Sequence, residues 1–334
     1  MMKTSFVKLL IVTLLLGSCA EERKFPEPTK LSALKATEFI PTLESSISND
    51  KNAIYAATLL FAWDEIRKEI GTPFTVDNSY NDLMLLNNSK SFLDVLKSNE
   101  YSTEVVVEDF KITAKAEFKK SLPFEFPLVS FDDKLIFDGK KVASFGVYSA
   151  SYEVAQIIKI VYYKNDANFI LKLLPKDHDH EIILFKTQEK FRSIAEMNTA
   201  IKKHSKIRSE ELKSYKLQWK YYLRDEDEVI IPKFNFNLET NYKTLENSKF
   251  TSGLHGYNID VAWQRTAFIL DEMGAEAESY ATVETTVEES SEEEKPKPKK
   301  LIFDKPFLIL LKRTDAENPY FALWNTNSEL MKKE

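Results

Sequence analysis

The sequence predicts an α+β fold in which mixed and antiparallel sheets are flanked by helices and carry one exposed loop. From residue 105 onward, short segments rich in β-branched and aromatic residues recur between polar turns, which is typical of strands. Before them, the apolar residues of 54–70 are spaced as in an amphipathic helix. Near the end of the chain, 275–288 alternates small uncharged residues with larger or charged ones.

Composition limits the classes of function. The chain has 334 residues, of which 43% are hydrophobic and 12% aromatic, so it can bury a core without disulfides or metals. Only seven glycines occur, and none form a GxGxxG or GxxxxGK motif, which argues against a glycine-rich phosphate site. The net charge is −6 and no basic stripe is present, so we expect no nucleic-acid partner.

The first residues resemble a bacterial export signal. Lys3 and Lys8 precede an apolar run over 9–16, which is too short to span a bilayer. Small residues and then Cys19, the single cysteine of the chain, follow at once and resemble a lipobox. We therefore expect 1–18 to be a lipoprotein signal peptide and Cys19 to be lipidated. An ordinary secretory signal with a chance cysteine is the alternative.

The region after Cys19 is polar and contains three prolines, so 19–45 is predicted to be a tether. The folded domain is predicted over 46–334, with an exposed loop over 275–300. The acidic pair Glu21 and Glu22 resembles a surface-export signal of some lipoproteins. The expected location is the cell envelope, on the outer membrane through the lipid anchor, with exposure at the cell surface as a further option.

The elements of the domain are read from periodicity. A buried helix is predicted over 54–70, stopped by Gly71 and Pro73, and a short helix near 90–97. A further helix carries Phe191, Ile194 and Ile201. The predicted strands are 105–107, 110–116, 134–137, 142–148, 157–163, 169–174, 182–185, 229–238, 261–271, 306–311 and 320–324.

Two charged clusters resemble the start of a metal site. Asp177–His180 holds two imidazoles and two carboxylates, and 224–228 contains four consecutive acidic residues. Neither has a second ligand cluster or a suitable spacing, so we expect a solvated hairpin turn at the first, a solvated strand entry at the second, and no metal. No cysteine nucleophile remains beside a lipidated Cys19, and no GxSxG motif occurs. We expect no enzymatic activity, no catalytic residue and no cofactor.

The alternating segment is the most informative part of the chain. Its small uncharged positions are Ala275, Ala277, Ser279, Ala281, Val283, Thr285 and Val287. A strand of this pattern buries one face, and small inward residues suit a strand that enters between two existing ones. Acidic residues fill most of 289–294, and lysines and prolines fill 295–300, which predicts an exposed loop. A charged linker with chance alternation is the alternative.

The residues around this segment resemble the serpin family. Residues 267–277 resemble the family's hinge, in which a strand ends in an acidic pair and a glycine before the reactive loop. The other points of resemblance are Phe303–Leu308, Pro319–Asn325, Ile231–Phe234, Leu173–Pro175 and Asn52–Ala62. They follow the family's order along the chain, with the strongest part over 264–326.

The resemblance implies inhibition of serine or cysteine proteases by insertion of a cleaved loop as a new strand. The matching hinge residues are Glu272, Gly274, Ala275 and Ala277. Counting the family's spacing from Glu272 places the cut between Glu288 and Glu289. Counting back from Phe303 places it at Lys295, before a proline, and we prefer the acidic position. The implied partners are an extracellular or periplasmic protease and the membrane.

The chain also departs from the family. It is shorter by several tens of residues, mainly between 71 and 110, where the family keeps several helices. Ala56 and Ala57 replace a serine and a proline, Gln264 replaces a histidine, and Leu122 replaces a tryptophan. The alternative function is therefore a non-inhibitory serpin-fold module for surface binding or adhesion. An unrelated mixed α/β lipoprotein is the remaining possibility.

Overall fold

A computed structural model describes residues 24–71, 73–108, 111–149, 151, 153–274 and 296–333. It has the predicted α+β class, with several sheets and few helices. The signal segment 1–18 and Cys19 lie outside the described residues. No helix in the described part of the chain is long and apolar enough to cross a membrane.

The strands are β1 (Thr29–Lys30), β2 (Thr37–Phe39), β3 (Asn52–Ala56), β4 (Phe74–Val76), β5 (Tyr101–Glu108), β6 (Lys111–Phe118), β7 (Val129–Phe137), β8 (Lys140–Val147), β9 (Ile158–Asn165), β10 (Asn168–Leu173), β11 (His180–Lys186), β12 (Glu228–Pro232), β13 (Phe234–Asn241), β14 (Lys249–Ser252), β15 (His255–Asn258), β16 (Trp263–Leu270), β17 (Lys300–Ile302), β18 (Phe307–Arg313) and β19 (Phe321–Asn325). The helices are α1 (Thr58–Ile70), α2 (Asn81–Asn88), α3 (Val154–Ile157), α4 (Ile194–Glu211) and α5 (Tyr215–Gln218), with 3₁₀ turns at Leu31–Ala33 and Trp219–Tyr221.

The centre of the molecule is a seven-stranded sheet in the order β2-β3-β19-β18-β11-β10-β9. Every residue of β3, β11 and β19 is buried, because these strands are covered on both faces. Their sequences are correspondingly near-continuous in apolar residues. The predicted hairpin of β10 and β11 and the predicted closing strands β18 and β19 are present and pair antiparallel.

Two smaller sheets meet at Lys233. The prediction of one strand over 229–238 is wrong, because β12 belongs to a four-stranded sheet (β17-β12-β8-β7) and β13 to a three-stranded sheet (β1-β13-β16). Between them the Lys233 amide donates to the Ala143 carbonyl at 2.8 Å, and its carbonyl accepts from the Lys332 amide at 2.8 Å. The chain therefore changes sheet without leaving a backbone group unpaired.

The first predicted helix begins later than expected. Residues 52–56 form β3, and α1 begins only at Thr58 because β3 takes its hydrogen bonds from β19 and β2. Gly71 ends the helix in a left-handed conformation at φ 71°, as predicted. The helix predicted near 90–97 is wrong: these residues form turns, and the nearby helix is α2.

The prediction that a tether extends to residue 45 is wrong for its second half. Phe39, Ile40 and Leu43 are buried, and β2 joins the central sheet beside β3. The Glu329 carboxylate accepts a hydrogen bond from the Ala36 amide at 3.0 Å. These three apolar residues hold an otherwise polar segment on the domain, because burying each side chain removes apolar surface from water.

The Asp177–His180 turn is not wholly solvated. Its first three residues are exposed, but the His180 side chain is fully buried and its Nε2 lies 2.9 Å from Glu100 Oε1. Lys120 and Arg313 also pair with the Glu100 carboxylate. Burial alone would raise the pKa of Glu100, but these partners outweigh it and lower the pKa to about 2. This buried cluster joins the β5–β6 hairpin to the central sheet.

The described residues contain no group of three or more histidine, cysteine or acidic side chains arranged to hold a metal.

Acid is expected to destabilise the protein through His204. This side chain is buried on α4, stacked on Tyr162 at 3.9 Å between ring centroids, and burial lowers its pKa. Because the folded-state pKa is lowered, the stabilisation is complete above the unfolded-state value near 6.5 and is lost as the pH falls below it. One such group changes the free energy of unfolding by at most about 1.4 kcal/mol per pH unit.

Urea unfolding at several pH values between 7.5 and 5 measures this effect. His204→Phe should reduce the loss of stability below pH 6.5 relative to the wild type. An identical pH dependence in wild type and His204→Phe would contradict the assignment.

Candidate functional site

The predicted hinge is a tight turn at the end of β16. The Gly274 amide donates to the Asp271 carbonyl at 3.0 Å, and the Met273 amide donates to Asp271 Oδ1 at 2.9 Å. Asp271 and Gly274 form an antiparallel bridge. Asp271 and Gly274 are therefore the paired ends of a tight turn whose two central residues are Glu272 and Met273.

The turn is held against the segment that leads into β7. The Phe124 amide donates to the Met273 carbonyl at 3.1 Å, and the Leu128 amide donates to the Glu272 carbonyl at 2.8 Å. Pro123 and Gly274 form a second antiparallel bridge. The start of the loop therefore has a fixed position, set by backbone hydrogen bonds.

A partly buried ion pair holds the side chain of the predicted hinge residue Glu272. Its carboxylate lies 2.5 Å from Lys233 Nζ, whose side chain is 9% exposed. The same ammonium donates to Ser130 Oγ on β7 at 2.7 Å. Lys233 thus joins the hinge to the point where the two smaller sheets meet.

Gly274 is expected to tolerate no side chain. Its φ is +70°, and an added Cβ would lie 2.6 Å from the Phe124 amide nitrogen. Gly274→Ala should lower the free energy of unfolding by about 2–4 kcal/mol, through left-handed strain and overpacking. Gly139→Ala is the matched control, since Gly139 has φ +71° and open space around it. Urea unfolding measures both, and equal losses would contradict the close approach.

Two strands end near the hinge. β16 ends at Leu270 just before the turn, and β6 ends at Phe118, five residues before Pro123. Within the described residues β16 pairs only with β13, and β6 pairs only with β5. Each strand therefore has one edge that lacks a neighbouring strand, and a strand leaving Gly274 backward would run antiparallel to both.

The far end of the loop is held by Arg224. Its Nη1 donates to the Pro296 carbonyl at 2.8 Å, and its Nη2 donates to the Lys297 carbonyl at 2.7 Å. The planar guanidinium matches two successive carbonyls, so it fixes the direction of the chain as well as its position.

Asp227 and Lys299 form a second, fully buried contact at this end. Lys299 Nζ lies 2.5 Å from Asp227 Oδ2, and neither side chain is exposed to solvent. The Lys299 amide donates to Asp227 Oδ1 at 2.7 Å, and the ammonium lies over the Trp219 ring at 5.6 Å. Burial lowers the pKa of Lys299, and the hydrogen bond to Asp227 opposes this shift.

The two ends of the loop lie at opposite edges of the four-stranded sheet. The hinge residue Glu272 accepts a hydrogen bond from Leu128, just before β7, and the far end leads into β17. In the order β17-β12-β8-β7 these are the two outer strands. The loop therefore connects one edge of this sheet with the other.

The structure places some of the predicted residues and leaves others out. Glu272 and Gly274 form the hinge turn. Ala275, Ala277, Glu288 and Glu289 lie outside the described residues. The sequence analysis missed the contacts of the far end, because it assigned 224–228 to a solvated strand entry. That expectation is wrong for Asp227, and no local pattern marks it, since its partner Lys299 lies 72 residues away.

The chain was compared with known proteins. No protein-family model matches it, and no curated protein matches it. Among solved structures, it is similar to serpins. A highly specific serpin of the insect Tenebrio molitor is 15% identical, with a TM-score of 0.34, over 64% of this chain and 54% of that chain. A serpin of Manduca sexta is 11% identical, with a TM-score of 0.40, over 67% and 57% of the two chains.

A serpin from the trematode Schistosoma haematobium is 12% identical, with a TM-score of 0.45, over 83% of this chain and 94% of that chain. For the two insect serpins, the matched part spans little more than half of the solved chain. At these identities and TM-scores, no activity, partner or site residue is taken from the similarity.

Proposed function

We propose that this protein is a serpin-like protease inhibitor whose loop, once cut, adds as a strand between β6 and β16. The observation that carries the proposal is the bridge between Asp271 and Gly274. It sets the register that a strand continuing from Gly274 would adopt on β16, and that register can be compared with the sequence.

The bridge pairs Gly274 with Asp271, so the next residue, Ala275, would lie opposite Leu270. Each later residue of the loop would lie opposite the β16 residue one position earlier in the sequence. The pairs on one face are Ala275 with Leu270, Ala277 with Phe268, Ser279 with Thr266 and Ala281 with Gln264. All four of these β16 residues are buried. The small residues of the alternation therefore fall on the buried face of the sheet.

The intervening residues fall on the other face. Glu276 and Glu278 would lie opposite Ile269 and Ala267, which are only partly buried, and Tyr280 opposite the exposed Arg265. The charged half of the alternation thus stays toward solvent, and Glu278 comes diagonally near Arg265. A shift of one residue would reverse both faces and bury the glutamates, so the agreement depends on the register.

Addition of this strand would be favourable because two open edges become paired. The hairpin β5–β6 and the sheet β16-β13-β1 would become one six-stranded sheet, with ladder hydrogen bonds on both sides of the new strand. The uncut chain holds the segment by both ends, and cutting releases one of them. The cut form should therefore be the more stable one.

The proposed inhibition uses the protease's own chemistry. The protease serine or cysteine attacks the carbonyl carbon of Glu288, an ester or thioester forms, and the Glu288–Glu289 bond breaks with a proton passing to the new amine of Glu289. Strand addition then carries Glu288 and the bound protease away before water completes the hydrolysis. The proposed partner is an extracellular or periplasmic protease.

The proposed location is the outer membrane of the cell envelope, supported by the lipobox at Cys19. Acyl chains on this cysteine would hold the protein at the membrane, because each buried methylene contributes about 0.8 kcal/mol. Surface exposure is part of this proposal through Glu21 and Glu22. Radiolabelled palmitate incorporation in wild type but not in Cys19→Ala tests the anchor.

A non-inhibitory binding or adhesion module is the second candidate. The observation that favours it is the bonding of Gln264, whose Oε1 accepts from the Tyr242 hydroxyl at 2.9 Å and whose Nε2 donates to Thr266 Oγ1 at 2.9 Å. These buried groups are satisfied within the present sheet, without an added strand.

The melting temperature before and after limited proteolysis distinguishes the two functions. The chain from residue 20 onward is cut within 284–294 by a glutamate-specific serine protease that is then inactivated. The proposed inhibitor should gain tens of degrees with both fragments associated, and should form a covalent complex with active protease that survives denaturation. An unchanged or lower melting temperature would contradict the inhibitor function and favour the binding module.

A further inference from the structure

The junction between the loop and β17 carries the basic residues of this region. Between Gly274 and Lys295 the sequence contains no lysine or arginine, and eight of the twenty residues 275–294 are glutamates. Four lysines then follow within 295–300. A protease that cuts after lysine or arginine would therefore find its only nearby bonds at this junction.

In two of these four bonds, the residue after the lysine is proline. Lys295 precedes Pro296, and Lys297 precedes Pro298. Proline has no amide hydrogen and a fixed φ, so the residue after the cut cannot take the conformation and hydrogen bond of an ordinary substrate. The Pro296 and Lys297 carbonyls are also held by Arg224.

The fold makes the other two bonds, after Lys299 and Lys300, inaccessible to a protease. The Lys299 side chain is fully buried against Asp227, so it cannot enter the specificity pocket of a protease. Lys300 is exposed, but it pairs with Glu228 at the start of the β17–β12 ladder. A protease binds its substrate as an extended segment with free backbone groups, and here those groups bond to Asp227, Asp166 and β12.

We propose that the junction 296–300, fixed by Arg224 and Asp227, excludes proteases that cut after lysine or arginine. With the cut at Glu288–Glu289 that the proposed function assigns, the target class of the inhibitor is a protease that cuts after acidic residues. The eight glutamates upstream favour an enzyme with an electropositive substrate cleft, since opposite charge speeds encounter. This inference rests on the proposed function for the identity of the target, while the protection of the junction stands on the described contacts.

Time courses of cleavage by trypsin and by a glutamate-specific serine protease test the proposal on the full chain, with cut positions read by mass spectrometry. Wild type should be cut by the glutamate-specific enzyme within 275–294 and should resist trypsin over 295–300. Pro296→Ala should make trypsin cut after Lys295 at least tenfold faster. Arg224→Met should likewise accelerate cutting after Lys299, whereas Glu294→Ala, the control, should not.

Trypsin cutting of wild type within 295–300 as fast as at Lys24, in the exposed N-terminal segment, would overturn the inference. Equal trypsin rates in wild type and Pro296→Ala would overturn it as well, since this variant keeps the carbonyl of residue 296 that accepts from Arg224. The cut positions are independent of the melting temperature. A glutamate-specific cut without a stability gain would therefore contradict the proposed inhibition and leave the protected junction standing.

Discussion

Replacing Ala277 by arginine is expected to abolish the gain in melting temperature that follows cleavage of the loop. In the register set by the Asp271–Gly274 bridge, residue 277 faces Phe268, which is 6% exposed and packs on Phe321 at 4.8 Å between ring centroids. An arginine there would have to bury its charge without a partner, which costs several kcal/mol. Differential scanning calorimetry of cut and uncut protein measures the effect.

Glu278→Arg is the matched control for this prediction. It introduces the same side chain one position later, where the register places it opposite Ala267 on the exposed face. The uncut proteins should melt at similar temperatures, and cut Glu278→Arg should keep a gain of tens of degrees. If Ala277→Arg kept the full gain, or if both variants lost it equally, the proposed register would be wrong.

Replacing Asp227 by alanine is expected to give a large loss of stability. It would leave the Lys299 ammonium in a site with no solvent exposure and would remove the acceptor of the Lys299 and Arg224 amides. Removing one partner of a buried ion pair typically costs about 3–5 kcal/mol. Urea unfolding should show this loss as a lower midpoint with an unchanged slope.

The double variant Asp227→Leu with Lys299→Met separates the ion pair from the shape of the site. Replacing both charges by apolar groups of similar size is often neutral. The double variant should therefore be at least 2 kcal/mol more stable than Asp227→Ala, since it leaves no buried charge without a partner. A double variant as unstable as Asp227→Ala would show that the lost amide acceptors, and not the unpaired ammonium, dominate.

Five of the seven strands of the central sheet, β9, β10, β11, β18 and β19, were predictable because their apolar pattern is strong, whereas β2 and β3 were not. β18 and β19 begin within one residue of their predicted starts, since both are near-continuous apolar runs between polar turns. The break at Lys233 was not predictable from periodicity. The apolar pattern continues across it, and only the contacts with Ala143 and Lys332, which are distant in sequence, show that the chain changes sheet.

The candidate site was predictable at one end only. Glu272 and Gly274 were singled out by the resemblance to a family hinge, and the structure places both in a tight turn. Asp227 and Lys299 each stand in a run of charged residues, and such a run predicts a solvated segment. Their burial depends on β17 pairing with β12, which is a tertiary contact without a local signal.

The positions of the two loop ends also determine how far the intervening chain can reach. The ends lie three strand spacings apart across the four-stranded sheet, and with the offset along the strands their separation is roughly 25 Å. The 21 residues from 275 to 295 can extend to about 70 Å. If eight of them lay along β16, the other thirteen could still span about 43 Å, which exceeds the roughly 25 Å between the two ends.

Under the proposed mechanism, the intact loop is therefore long enough to add as a strand without being cut. The uncut protein would be separated from its inserted state by a kinetic barrier, and its working lifetime would be set by the height of that barrier. The backbone hydrogen bonds that hold Met273 and Glu272 at the hinge are the contacts positioned to control it.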